Sequence, residues 1–452
     1  MMSLTGVADA LRAYPVGLRY GRVVSIQGAL VAVEGLAGAA RIGSRVTIGD
    51  ADDAIDAEVI GLDRGIAQCL PFNEPRGLAS GARAVLAAGQ LTLRPSPAWL
   101  GRVLDGLGRP IDDRGPLLLG PTPLPIRAAP PPAARRARVG GRLETGIAAV
   151  DMFAPLCLGQ RLGLFAGSGI GKSTMLAMLA KWTDCDVAVI GLIGERGREV
   201  TEFIEDDLGA AGLSRSVVVV ATSDETALMR RQAAWTTLAI AEHFRDRNMR
   251  VLCLMDSVTR FATAQREIGL ASGEPPATRG YTPTVFAELP RLLERAGPGE
   301  RGSGSITGVF TVLVDGDDHN EPIADAVRGT LDGHVVLSRR IAERGRYPAV
   351  DVLASLSRML PHAHAPEEEM LRLAARRELS IYRDMEEMIR LGAYKAGANP
   401  AIDRAVAVTP EIEVLLSQGK NDRRITAEAF ARLDAILNTA DKDKSDADTN
   451  AV

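Results

Sequence analysis

The chain has 452 residues, room for two or three domains and at least one sizeable core. It is 46% apolar, 24% charged and 4% aromatic with a formal net charge of −4, which argues against a nucleic-acid binder, since those carry a basic surface and stacking side chains. Cys69, Cys157, Cys185 and Cys253 form no CxxC pair, so neither a zinc site nor a disulfide framework is expected and a reduced, cytoplasmic setting fits.

In chain order, residues 1–17 read as a docking segment. LTGVADALRAY puts Leu4, Val7, Ala8 and Leu11 on one helical face. Its one basic residue, Arg12, predicts weak membrane attraction. There is no basic region followed by an apolar core of the secretory kind, and no apolar run near the roughly 20 residues of a membrane span. Residues 18–94 come in short alternating bursts such as GRVVSIQGALVAVEGL and DAEVIGL, separated by Gly, Asp and Asn, which predicts a small β-barrel domain. Pro95, Pro97 and the run AAPPPAARRARVGGR then interrupt the chain.

Residues 95–368 read as an α/β domain. Strand-sized apolar runs, RLGLF (161–165), DVAVIGLI (186–193), SVVVVA (216–221), RVLCLM (250–255) and ITGVFTVLV (306–314), alternate with helical stretches. Continuous apolar strands between helices predict a parallel sheet covered on both faces. Residues 369–438 predict a small helical domain, with Met370, Leu373, Leu379, Tyr382, Met385, Met388 and Ile389 at mostly helical spacing. The polar tail 439–452 is expected to be disordered. HAH at His362 to His364 has no further ligands nearby and is read as a polar turn.

The chemistry concentrates in FAGSGIGKST, residues 165–174. A glycine-rich turn leaving a buried strand and entering a helix points successive backbone N–H groups at an anion, and phosphate is the expected occupant. Gly167, Ser168, Gly169, Ile170, Gly171, Lys172, Ser173 and Thr174 form this loop, with Lys172 reaching the β and γ phosphates and Ser173 offering its hydroxyl to Mg²⁺. The first glycine of the GxxxxGK(S/T) pattern is replaced by Ala166, tolerable if the backbone there has negative φ. RVLCLMD ends in Asp256, which would hold Mg²⁺ through Ser173 or water. GERGREV follows a strand, placing Glu195 to polarise a water and Arg196 to meet the γ phosphate. These residues favour an NTP hydrolase.

FAGSGIGKST, GERGREV, LMDSVTRFA, GYTPTVFAELPRLLERAG, DGDDHNEPIADAVRGTLDGHVVLSR and RYPAVDVLASLSR occur in the order of the F-type/V-type rotary ATPase catalytic-subunit superfamily. Among its branches the chain most resembles the flagellar type III protein-export ATPases, from about residue 20 to 437. The resemblance implies a β-barrel domain, a RecA-like P-loop NTPase core and a helical C-terminal domain. It implies ATP and Mg²⁺ as cofactors, Glu195 as the catalytic glutamate, Asp256 as the Walker B carboxylate, and Arg196 and Arg260 as phosphate-site arginines. Tyr347 would stack on adenine, and Arg358 would be the finger offered to a neighbour's γ phosphate.

Several partners are implied in the same way. They are identical copies in a homohexamer, a dimeric regulator at the N-terminus, a central coiled-coil stalk, and the export gate, chaperones and substrates. The implied location is cytoplasmic, peripheral at the inner face of the cytoplasmic membrane. Three alternatives stay open: a virulence type III secretion ATPase, an F-type ATP synthase catalytic subunit, and an RNA translocase of RecA type.

Overall fold

The structure, a computed structural model, describes residues 19–50, 53–87, 89, 91–314 and 321–449. The docking segment expected over residues 1–17 lies outside them, as does the DGDDHN part of one motif.

Six strands, β1 (Arg19–Gln27), β2 (Leu30–Glu34), β3 (Arg45–Ile48), β4 (Ile55–Asp63), β5 (Ile66–Pro71) and β6 (Arg83–Leu86), close a barrel in the order β1-β2-β5-β4-β3-β6. Alternation drives it: Val31 and Val33, then Val46 and Ile48, are fully buried while their neighbours are not. Closure removes the free edges that such short strands would otherwise leave. The barrel is fastened to the next domain by charge: buried Glu58 accepts from Arg231 at 2.7 Å and pairs with Arg127 at 3.2 Å.

Short strands β7 (Thr92–Leu93) and β9 (Leu124–Pro125) pair with each other, while β8 (Val103–Asp105) joins the large sheet. That sheet contains β10 (Arg161–Ala166), β11 (Val187–Glu195), β12 (Ser216–Thr222), β13 (Arg250–Asp256), the short β14 (Gly297–Pro298), β15 (Ser305–Leu313), β16 (Gly333–Val336) and β17 (Leu356–Ser357). Its order is β17-β16-β10-β15-β13-β11-β12-β8, parallel from β16 to β8, with β17 and β14 antiparallel to their neighbours. The apolar runs are continuous because both faces are covered. In β11, Val187, Val189 and Ile193 enter one core, and Ala188, Ile190 and Leu192 enter the other.

The C-terminal helices Pro366–Arg390, Pro400–Leu416 and Thr426–Thr449 pack on the helix Ala148–Phe153. The stretch expected to be disordered from residue 439 is helical as far as Thr449. The expected polar turn around HAH is also corrected in part. His364 is buried, its Nε2 lies 3.0 Å from the Asp151 carbonyl, and its ring meets Phe430 edge-on.

Candidate active site

The phosphate loop leaves the C-terminal end of β10. Ala166 remains in the strand, paired with Leu313, and its φ is not positive, so the replaced glycine introduces no strain. The positive φ falls on Gly169 (77°) and Gly171 (89°), where a Cβ is disfavoured. Gly171 is the N-cap of the helix Lys172–Trp182 and no side chain caps that end. The first-turn N–H groups therefore have no intrahelical acceptor and offer an anion site. Ile170 is buried as the loop's anchor, whereas Ser168, Gly169 and Ser173 are exposed. Arg339 donates to the Ser168 carbonyl at 3.1 Å, tying the loop to the segment that follows β16.

The three charges expected to act together do converge. Lys172 Nζ donates to Glu195 Oε1 at 3.0 Å and also to Asp256 Oδ1. All three side chains are at least five-sixths buried, and the parallel pairing of β11 with β13 sets both carboxylates at one sheet edge. Glu195 is pushed up to about 7, chiefly by burial and then by the negative charge of Asp256, with Lys172 opposing. Burial opposes the Lys172 charge, but its two carboxylate neighbours outweigh this and hold its pKa above the ordinary value.

The outer residues divide. Tyr347, half-exposed, lies against the loop: a Cβ placed on Gly171 would sit 3.4 Å from the Tyr347 ring. Arg196 points outward to Glu199 at 3.4 Å and is 77% exposed, and Arg260 is exposed at the start of the helix after Asp256. Arg358 is not brought to this loop. It follows Ser357, which pairs with Gly333, and the next residue of β16, His334, pairs with Gly163. Arg358 N–H bonds the Asp332 carbonyl and is thus level with Arg161 at the N-terminal end of β10, about six residues and ~20 Å from Gly167 at ~3.3 Å per residue. An arginine side chain does not span that gap.

Two positions escaped the sequence reading. Gly194 has φ 72°, and a Cβ there would come within 2.9 Å of the Arg260 stem, so the turn that delivers Glu195 depends on it. The signal was the G before ERG in the strand. Thr311, fully buried in β15, donates to Asp256 Oδ1 at 2.7 Å, and a lone Thr in the apolar run VFTVLV was its only mark.

Comparison with known proteins agrees with this architecture. Residues 146–357 match the ATP synthase alpha/beta family, nucleotide-binding domain, and residues 365–435 match the T3SS EscN ATPase C-terminal domain. The chain is 55% identical over 424 residues to the flagellum-specific ATP synthase of Caulobacter vibrioides, covering 92% of this chain and 96% of that protein. It is 48% identical over 420 residues to a type 3 secretion system ATPase of Xanthomonas euvesicatoria, covering 92% and 93%. The assembled ATPase EscN of the enteropathogenic E. coli type III secretion system superposes with a TM-score of 0.85 at 37% identity, over 92% of this chain and 100% of that one. The same ATPase in complex with its central stalk EscO superposes at 0.83. A glycine-rich phosphate loop, a lysine between two carboxylates and these similarities over nine-tenths of the sequence lead to one conclusion: the chain is an ATP-hydrolysing enzyme of the flagellum-specific ATP synthase and type III secretion ATPase family.

Proposed function

We propose that this chain hydrolyses ATP to drive flagellar protein export, in a ring of identical copies whose nucleotide sites lie between neighbours. The carrying observation is the separation within one copy: Lys172, Glu195 and Asp256 meet at the phosphate loop while Arg358 stands at the far end of the sheet. A finger that cannot serve its own site can serve the adjacent one. Identity of 55% to the flagellum-specific relative of Caulobacter vibrioides supports the flagellar branch.

On this reading the residues 167–174 hold the triphosphate. An ammonium has three donors, so Lys172 can keep both carboxylates and still donate to a phosphate oxygen. Glu195, once ionised, accepts a proton from the attacking water while Arg196, Arg260 and the neighbour's Arg358 offset the charge growing on the γ phosphoryl. Tyr347 would cover the base. Mg²⁺, when bound, neutralises the β and γ phosphates, and the residues present fit it: Ser173 is exposed and Asp256 Oδ2 has no hydrogen-bond partner among the described residues. No group of three His, Cys, Asp or Glu side chains among the described residues could hold a metal alone, in keeping with an ion held largely by phosphate and water.

EscN has been solved assembled and with a central stalk, which supports a homohexamer and a coiled-coil stalk partner here. A dimeric regulator at residues 1–17, the export gate, chaperones and substrates complete the expected partners. No helix among the described residues is long and apolar enough to cross a membrane, so contact with the inner face of the cytoplasmic membrane would be peripheral. The test is a pair of variants. Lys172→Ala should lose ATP binding, and Glu195→Gln should bind ATP without turning it over. A Glu195→Gln protein that loses affinity yet turns over bound ATP at the normal rate would overturn the assignment.

A further inference from the structure

The structure assigns Thr311 a positioning role: its hydroxyl fixes the Asp256 carboxylate so that one oxygen is committed to the protein and the other is kept for Mg²⁺. The inference rests on the proposed nucleotide site and concerns a residue that would touch neither nucleotide nor metal.

Thr311 is fully buried near the end of β15, a strand buried along almost its whole length. Its side chain has the shape of valine, and valine would satisfy that apolar environment without burying a hydroxyl. Burying a hydroxyl is unfavourable unless its proton is used. Parallel pairing sets Met255 opposite Phe310, so the following residues, Asp256 and Thr311, also come side by side. There the hydroxyl lies 2.7 Å from Asp256 Oδ1 and 3.3 Å from the Met255 carbonyl. One hydroxyl proton serves one acceptor well, and the shorter contact to the charged oxygen is the stronger.

Lys172 donates to the same oxygen, Oδ1. Both protein donors therefore converge on one side of the carboxylate, and Oδ2 is left without a hydrogen-bond partner among the described residues. Lys172 cannot hold this arrangement alone. It is also bound to Glu195 and its third donor is wanted by the triphosphate, so Asp256 is one of three claims on the same ammonium. Thr311 sits on a central strand between β10 and β13 and stays in place.

The test compares wild type with Thr311→Val, Thr311→Ala and Thr311→Ser. A fluorescent ATP analogue is titrated with Mg²⁺ present and with excess EDTA, and steady-state ATPase rates are taken as a function of Mg²⁺. Losing a hydrogen bond to a charged group should weaken Mg²⁺-dependent binding about tenfold or more in Thr311→Val and Thr311→Ala. Binding in EDTA should be unchanged, and the Mg²⁺ needed for half-maximal rate should rise. Thr311→Ser, which keeps the hydroxyl, should restore both.

A purely structural role would lower thermal stability and leave the ratio of Mg²⁺ to EDTA affinity as in wild type, and that result overturns the inference. Should Thr311→Val not fold, Thr311→Ala and Thr311→Ser give the same comparison. Lys172→Ala, run in parallel, separates the two claims. If it still binds nucleotide, the site itself is misassigned; if it does not, and Thr311→Val behaves like wild type, only the positioning role falls.

Discussion

Lowering the pH from 8 to 6 should switch off the general base before it harms nucleotide binding. Glu195 is held near 7 rather than at the usual 4.5, because burial and the nearby Asp256 charge both penalise its ionised form. The displacement corresponds to about 3 kcal/mol against ionisation. The sign follows: an acid whose pKa is raised is uncharged, and useless as a base, until the pH climbs past the raised value. A carboxyl titrating near 7 is ionised in about a tenth of molecules at pH 6 and about nine-tenths at pH 8, so kcat/KM should rise roughly tenfold across that interval. That ratio is the right readout because it reports the free enzyme, before the triphosphate adds its own charge. The assay is phosphate release at fixed free Mg²⁺, with ATP binding measured at both ends. A flat profile between pH 6 and 8, or the same acid limb in the residual activity of Glu195→Gln, would refute the assignment of this carboxylate as the base.

Arg358→Ala should reduce kcat by about 10³-fold or more, the usual effect of losing a finger, with ATP affinity nearly intact. An equal mixture with Lys172→Ala subunits should recover up to about a quarter of wild-type activity. That is the share of interfaces pairing a sound phosphate loop with a sound finger in a closed ring. No recovery in stable mixed rings would place the arginine's role within its own copy. Tyr347→Ala should raise KM for ATP about tenfold or more with kcat little changed, as expected for lost stacking on a base, and Tyr347→Phe should not; equal effects of the two would disprove stacking. Gly194→Ala forces a Cβ against the Arg260 stem at positive φ and should cut kcat through displacement of Glu195, with thermal stability lowered by about 1–2 kcal/mol. Unchanged turnover in that variant would show that the turn tolerates a side chain.

Where a residue's place in the fold follows from chain-local pattern, it is legible in the sequence. The barrel follows from alternation, the parallel core from continuous apolar runs, and the phosphate loop from glycines between a strand and a helix. Each of these signals depends on neighbours a few positions apart. Lys172, Glu195 and Asp256 were identified from three separate strand ends, and parallel pairing gathered them because all three strands run the same way. The residues that were overlooked depend on contacts across the sheet. Thr311 matters only because β15 pairs with β13, and Gly194 because a helix beginning beyond Asp256 rests on it. Short strands β8, β16 and β17 carry too few apolar residues to announce themselves and are recruited by pairing with the long ones. The polar composition of the tail predicts disorder, whereas its backbone is helical to Thr449.

The placement of Arg358 also bears on why a single copy should idle. The carboxyl ends of parallel strands gather the phosphate loop and both carboxylates, as in other open α/β sheets. The antiparallel strand β17 runs back toward the opposite end and leaves Arg358 there, on the outermost strand of the sheet. A site containing Glu195 and Asp256 is rich in negative charge before any triphosphate arrives, and among the described residues Lys172 is the cation bonded to both carboxylates. The transition state needs a further cation, worth about 4 to 7 kcal/mol of barrier for a finger. On the proposed reading Arg358 is that cation, and its place at the sheet's far edge would make it useful only when a second copy presents it. If Arg358 is that finger, hydrolysis is expected to follow assembly, and dilution below the ring-forming concentration should slow turnover per copy.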